Sequence, residues 1–254
     1  MNDLKKINTT KKINLAIIGA GNIFETFHLP IVLKLGLSIK YVIEPNSERQ
    51  GYLSGILEND VTFHQKLEDI DFKLIDIALI ASPTKFHYEQ AKMLGENLIP
   101  TLCEKPLSVD EDQTIEIINL FKSKNTYLQC GFYRRFQNTA KEIKTLIKNK
   151  TYGDLNFIDG WCGWNAKKLP ESITNKSLSC GGITVDYGVH VLDRLIDWLG
   201  EIKLKRYYDN IKYSTGIETN SFIELIAGEN VPVKLRLSWT NNLSNSINLF
   251  FEHA

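Results

Sequence analysis

Short apolar runs alternate with helix-length stretches over the first half of the chain. "INLAIIG" (13–19) is an apolar run closed by glycine, which predicts a buried strand. "NIFETFHLPIVLKLG" (22–36) follows with helical spacing, and Pro30 is expected to kink or end that helix. "SIKYVIEP" (38–45), "FKLIDIALIASP" (72–83), "IPTLCEKP" (99–106) and "TYLQCGF" (126–132) read as further strands. Between them "FHYEQAKMLGENL" (86–98) and "SVDEDQTIEIINLFKS" (108–123) read as helices, the second with acids in its first turn as the helix dipole favours. Strands separated by helices of this length predict a parallel sheet of βαβ units.

Beyond Gly131 the pattern changes. "AKEIKTLIKNK" (140–150) is one more helix, and five strand-like runs follow: 154–164, 203–215, 220–228, 231–240 and 246–254. Four of the five come with only short breaks, which favours an antiparallel or mixed sheet. A boundary is expected between residues 126 and 136, giving domains over 1–130 and 131–254. No repeat or low-complexity tract interrupts either.

With 254 residues, 43% hydrophobic and 24% charged, the chain has the composition of an ordinary globular protein. Thirty Lys+Arg balance thirty Asp+Glu, so the basic excess of a nucleic-acid binder is missing. Lys5, Lys6, Lys11 and Lys12 cluster at the start, where a solvated terminus explains them. No run reaches the ~18 apolar residues of a membrane span, and "INLAIIGA" lacks the length and flanks of a signal peptide. Cys103, Cys130, Cys162 and Cys180 form no Cys-x-x-Cys pair, so four reduced thiols and a cytoplasmic location are expected.

Gly19-Ala20-Gly21 lies between the first strand and the first helix. There the first glycine permits a tight turn and the second lets the backbone approach a pyrophosphate at a helix N-terminus. The third position of the G-x-G-x-x-G pattern holds Phe24, which bears on helix–sheet packing more than on phosphate contact. Glu44 ends the second strand, where a carboxylate accepts from ribose hydroxyls and repels a 2′-phosphate, so NAD is favoured; a solvated turn in "EPNSER" is the plainer reading. Arg49 nearby leaves NADP open.

"CGGITVDYGVHVLDRLIDWLG" (180–200) opens on two glycines and holds a third, Gly188, which costs roughly 1 kcal/mol against alanine inside a helix. Gly181, Gly182 and Gly188 are read as permitting close approach by a ligand. Asp186 and His190 fall at i and i+4, and histidine titrates where proton transfer in either direction is useful. The polar stripe Asp186, His190, Asp193, Asp197 is also what a solvent-facing amphipathic helix shows. A divalent-ion reading of Asp186, His190 and Asp193 has no further His or Cys to support it. Lys105 follows a predicted buried strand, and its ammonium suits a developing alkoxide. His28 and His87 are expected to pack or hydrogen-bond. Trp161 and Trp164 suit either a sugar wall or the core, and Lys167 and Lys168 suit an anionic substrate group.

"GAGNIFETFHLP", "CEKP" (103–106) and "GGITVDYGVHVLD" together resemble the Gfo/Idh/MocA oxidoreductases, from about Ile13 to the end of the chain. "GFYRRF" (131–136) matches a further family segment. The resemblance implies a Rossmann doubly wound parallel sheet followed by an α/β domain with an open, mostly antiparallel sheet that carries substrate and often a homo-oligomer interface. It implies hydride exchange between NAD, with NADP not excluded, and a secondary alcohol or ketone of a sugar, sugar derivative or cyclitol. Lys105, Asp186 and His190 are then catalytic. Gly19, Ala20, Gly21, Asn22, Ile23, Glu44, Ser82, Pro83, Glu104 and Lys105 hold the cofactor. Lys105, Arg135, Trp164, Lys167, Asp186 and His190 contact the substrate. No metal, nucleic acid or membrane is implied. A cis Lys105–Pro106 bond is expected. Phe24 departs from the pattern, and so does length, since family members usually continue past "LFFEHA"; an exposed sheet edge is expected after Phe251. A redox-assisted NAD-dependent glycosidase, or a dinucleotide- or sugar-sensing regulator without turnover, are the alternatives on the same scaffold.

Overall fold

A computed structural model describes residues 12–58, 60–211 and 216–254. Lys5, Lys6 and Lys11 of the basic cluster, and the last four positions of the strand expected over 203–215, lie outside the described residues. The chain divides into two compact units, Met1–Gly131 and Phe132–Ala254.

In the first unit β1 (Asn14–Ile18) is followed by a π-helical turn (Phe24–His28) that runs into α1 (Leu29–Leu35). Then come β2 (Ser38–Ile43), α2 (Ser47–Ser54), β3 (Thr62–His64), β4 (Ile77–Ile80), α3 (His87–Glu96), β5 (Thr101–Cys103), α4 (Glu111–Ser123) and β6 (Leu128–Cys130). The six strands are all parallel, as the strand–helix alternation predicts, and their order β3-β2-β1-β4-β5-β6 is the doubly wound arrangement that the resemblance implied. β1 is apolar from Leu15 to Ile18 because both its faces are covered there. Leu15 and Ile17 pack with Phe24, Leu29, Val32 and Leu53 on one side. Ala16 and Ile18 pack with Leu94, Ile117 and Phe121 on the other.

Pro30 does not break the first helix. It sits in the first turn of α1, where the missing N–H costs little, and the π turn before it takes up the change of register. Phe24 is fully buried and fills the space between that turn and the sheet, which accounts for the absent third glycine. β3 has only three residues and no apolar alternation to announce it.

The second unit begins with α5 (Asn138–Lys148), β7 (Leu155–Gly163) and two single-turn helices, α6 (Glu171–Thr174) and α7 (Lys176–Ser179). A second π turn (Thr184–Gly188) leads into α8 (Val189–Leu199), then β8 (Ile202–Ile211), β9 (Glu218–Ala227), β10 (Val231–Ser238) and β11 (Ser246–Phe251). The sheet order is β11-β7-β10-β9-β8; only the β7–β10 pair is parallel. α8 sets Val191, Leu195 and Trp198 into a core with Ile158, Cys162, Leu235 and Leu237. Successive strand residues face opposite sides, so Trp161, Arg236, Phe222 and Tyr208 form a row on the other face. The Arg236 guanidinium lies 4.2 Å from the Trp161 ring centroid and 5.2 Å from that of Phe222. That alternation places Trp161 across the sheet from α8 and removes it from any sugar wall on the helix side. β11 and β8 are the sheet's two edges, so the expected edge after Phe251 belongs to β11.

No described helix is long and apolar enough to cross a membrane.

Candidate active site

Gly19 takes φ +82°, and a Cβ there would stand 2.5 Å from the Ser82 backbone, so the turn after β1 and the loop after β4 touch only because position 19 has no side chain. Gly21 is exposed, with nothing within 4 Å of where its Cβ would be. No side chain caps the helix start that follows. A glycine opening on empty space before an uncapped helix N-terminus fits a phosphate-bearing cofactor.

Glu44 is fastened beside this turn: Ala20 N–H donates to Oε2 at 3.1 Å and Asn46 N–H to Oε1 at 3.0 Å. Arg49 crosses the turn's outer side. Its Nε donates to the Ala20 carbonyl at 2.8 Å, and its Nη2 pairs with Glu25 at 2.6 Å. Tyr52 donates to the other Glu25 oxygen at 2.8 Å. The Arg49 fork, which sequence left open for a 2′-phosphate, is thus engaged by Glu25 and the glycine turn.

His87 links two loops that bear candidate residues. Its Nδ1 is 2.7 Å from the Pro106 carbonyl oxygen and its Nε2 2.8 Å from that of Ser82. A neutral imidazole donates to one of these and turns a lone pair to the other. Burial pushes the ring below its ordinary value of 6.5, against the pull of both carbonyls. In this protein that deprotonated ring is the folded form, whereas the unfolded chain takes up a proton below about 6.5. Stability supplied here is therefore complete above about 6.5 and lost as pH falls toward the depressed folded value. Thermal melts of wild type and His87→Gln across that range should show a steeper acid loss in wild type; parallel curves would remove the assignment.

Lys105 is half-buried, and the Lys105–Pro106 bond is cis, as the resemblance implied. Glu104 pairs with His28 at 2.7 Å and accepts from the Lys105 N–H at 3.2 Å. Burial works against the Glu104 charge, but His28 and Lys105 outweigh it and hold the carboxyl below the usual carboxylate range. His28 is therefore a hydrogen-bonding residue, as expected.

In the second unit His190 is buried at 7% exposure in the first turn of α8. Aromatic rings surround it: Tyr133 at 5.6 Å, Tyr187 at 6.3 Å and Phe132 at 6.5 Å between centroids. Asp186 is half-buried in the preceding π turn. Trp164 meets Tyr187 edge-on at 5.5 Å, on the helix side of the sheet. Arg134 lies over the Tyr187 ring at 4.5 Å and donates to its hydroxyl at 3.1 Å. The solvent-facing alternative for this helix face does not hold at His190 or Asp193, which are both buried.

Arg135, expected at the substrate, grips Asp193 through Nε at 2.9 and 2.8 Å. That pairing also commits Asp193, one of the three groups in the divalent-ion reading. Lys167 and Lys168 are exposed in the segment after β7. The glycine reading needs correction. A Cβ on Gly182 would stand 1.9 Å from the Glu218 carbonyl oxygen, and one on Gly188 would stand 2.8 Å from Leu237 Cδ1. Gly181 is closed off by Val185 at 2.3 Å. These glycines admit the sheet and the helix's own side chains, not a ligand. Glu218, unremarked in sequence, accepts from the Gly182 and Thr184 N–H groups at 2.9 and 3.0 Å and anchors the π turn. Tyr187 was also missed, although its i,i+3 spacing from His190 is readable.

Residues 13–132 match the family model described as oxidoreductase family, NAD-binding Rossmann fold. The chain is 24% identical over 205 residues to D-glucoside 3-dehydrogenase of Escherichia coli, covering 78% of this chain and 57% of that protein. It is 24% identical over 242 residues to inositol 2-dehydrogenase of Leifsonia xyli, covering 91% and 68%. Among solved structures, an oxidoreductase of Thermotoga maritima superposes with TM-score 0.86 at 16% identity over 96% of this chain and 77% of that one. The 3-ketoreductase KijD10 of Actinomadura kijaniata, solved with NADP and TDP-benzene, gives 0.85 at 14% over 95% and 74%. At those identities the superpositions establish the fold. The matched residues, 13–132, cover most of the first unit and carry the NAD-binding Rossmann fold of the Gfo/Idh/MocA oxidoreductases, and the chain as a whole is similar to members of that family. It spans 57% of the length of the E. coli relative.

Proposed function

We propose that the protein is an NAD(P)-dependent oxidoreductase acting on a secondary alcohol or ketone of a sugar, sugar derivative or cyclitol. The observation that carries this reading is the buried, ring-flanked His190, found in a chain whose other unit holds the dinucleotide turn. The relatives' names, a glucoside dehydrogenase and an inositol dehydrogenase, support the substrate class. When bound, the nicotinamide supplies hydride transfer. His190 takes the hydroxyl proton, in surroundings that exclude bulk water. Lys105 hydrogen-bonds the reacting oxygen and favours the alkoxide over the alcohol. Asp186 orients His190 or a sugar hydroxyl. The open row Trp161, Arg236, Phe222 and Tyr208 supports self-association through the second sheet.

A panel of sugars and cyclitols, assayed with both cofactors by nicotinamide absorbance, tests the reading. Conversion of a panel member with net cofactor reduction or oxidation is expected. Product release without net change would point to the redox-assisted glycosidase, and cofactor binding without any conversion to the regulator.

Cofactor choice has its own expected result. Glu44 beside the turn, with Arg49 held by Glu25, should make NADH bind at least about tenfold more tightly than NADPH, since like charges brought together cost several kcal/mol. Fluorescence titration of both reduced cofactors measures it, and Glu44→Ser should narrow the gap. Equal affinities in wild type would show that Glu44 does not select.

A further inference from the structure

We propose that Arg134 and Arg194 form an anion subsite beside His190, so that the sugar or cyclitol substrate carries a carboxylate or phosphate group; this rests on the oxidoreductase reading above. Tyr187, His190 and Arg194 fall at i, i+3 and i+7, one stripe along the π turn and α8. Arg194 is half-buried, and its Nε is shut off from solvent with no hydrogen-bond partner. A buried donor left unsatisfied is costly, more so on a charged group.

Among the described residues no carboxylate is given as an ion-pair or hydrogen-bond partner of Arg194. The two acids of α8 are committed elsewhere, Asp193 to Arg135 and Asp197 to Lys144 at 2.7 Å. Beyond burial, the strongest influences on Arg194 are Arg134, Cys162, Tyr187 and Tyr133. No carboxylate is among them. Burial pushes the Cys162 thiol up, so it stays uncharged and cannot serve as counter-ion. Arg134 repels Arg194 and adds to the burial that draws its protonation down. The Trp198 ring is 5.9 Å from the guanidinium, at the outer reach of a cation–π contact. Arg134, half-buried, bonds only phenols among the contacts the structure gives it: Tyr187 at 3.1 Å and Tyr133 at 3.4 Å. A phenol offers a dipole, not a full charge. Two guanidiniums among aromatic rings, neither given a carboxylate partner among the described residues, are suited to a planar or tetrahedral anion, which a guanidinium fork binds in two places.

Isothermal titration of the cofactor-loaded protein with D-glucuronate, D-glucose 6-phosphate and D-glucose tests this. At least one anionic sugar should bind about tenfold or more tighter than glucose, and the stronger arm tells carboxylate from phosphate. Arg194→Leu should lose roughly 10–100-fold for that sugar, the usual worth of a charged hydrogen bond, with glucose affinity unchanged. Arg194→Lys should keep part of the preference. Should Arg194→Leu fail to fold, Arg134→Leu carries the same comparison. Equal binding of all three sugars by wild type, or a preference that survives in a folded Arg194→Leu protein, overturns the subsite. Arg194-dependent anion binding with no hydride transfer to any panel member would leave the subsite standing and sink the oxidoreductase reading. Conversion of neutral polyols at a rate indifferent to Arg194 would do the reverse.

Discussion

His190→Ala should lower turnover by roughly 10²–10⁴-fold, the usual contribution of a positioned general acid or base. The side chain is buried among Phe132, Tyr133 and Tyr187, so no bulk water stands ready to take over the proton. Affinity for the dinucleotide should barely change, because the glycine turn and Glu44 belong to the other unit. The KM-against-kcat split is informative. Loss confined to kcat marks proton transfer, while a rise in KM alone marks binding. A His190→Ala protein with normal kcat on a panel substrate would end the assignment. Lys105→Ala should also lower kcat.

The largest structural effect is expected at Gly182→Ala. The new methyl would meet the Glu218 main-chain carbonyl at 1.9 Å, a contact no rotamer change relieves. It would also displace the Gly182 N–H from the Glu218 carboxylate. Overpacking of this kind costs about 1–3 kcal/mol and occasionally more. For a chain of this size, ~3 kcal/mol corresponds to a Tm fall of roughly 6–12 °C. Trp161, Trp164, Trp198 and Trp239 are the protein's four tryptophans and all lie in the second unit, so the fluorescence melt reports that unit alone. Gly21→Ala meets open space and is the control, with an unchanged melt by circular dichroism, which reports both units. Equal Tm values for wild type and Gly182→Ala would show that the π turn is free to move away from β9.

The contrast between those two glycines shows what sequence conveys. That position 182 needs glycine is readable; which neighbour occupies the space is not, because Glu218 is 36 residues away. The Rossmann sheet was legible, since each βαβ unit is local and its central strand is apolar on both faces. The second sheet was legible as a set of strands but not as an order, because β7 pairs with β10 and β11 across the whole of α8, β8 and β9. Arg134 and Arg135 are adjacent in "GFYRRF", yet the 3-10 turn sends one to Tyr187 and the other to Asp193. Strand alternation over "DGWCGW" separates Trp161 from the helix side on which Trp164 lies. Glu44 and Lys105 stand out in the sequence as candidates because each follows a predicted strand, where a parallel sheet presents its ligand-facing ends.

Each unit enters a principal helix through a π turn, Phe24–His28 ahead of α1 and Thr184–Gly188 ahead of α8. A π turn is an α turn carrying one residue more. Elsewhere in a packed helix a one-residue insertion or deletion swings every later side chain by about 100° and ruins the core. Here the surplus residue is already confined to one turn. Losing a single codon within 184–188 would return that turn to α geometry and leave Val191, Leu195 and Trp198 seated on the sheet. The upstream segment with Asp186 would slide by one position against a fixed His190. Single-codon length changes thus give this fold a way to re-aim its candidate chemistry while the core stays where it is.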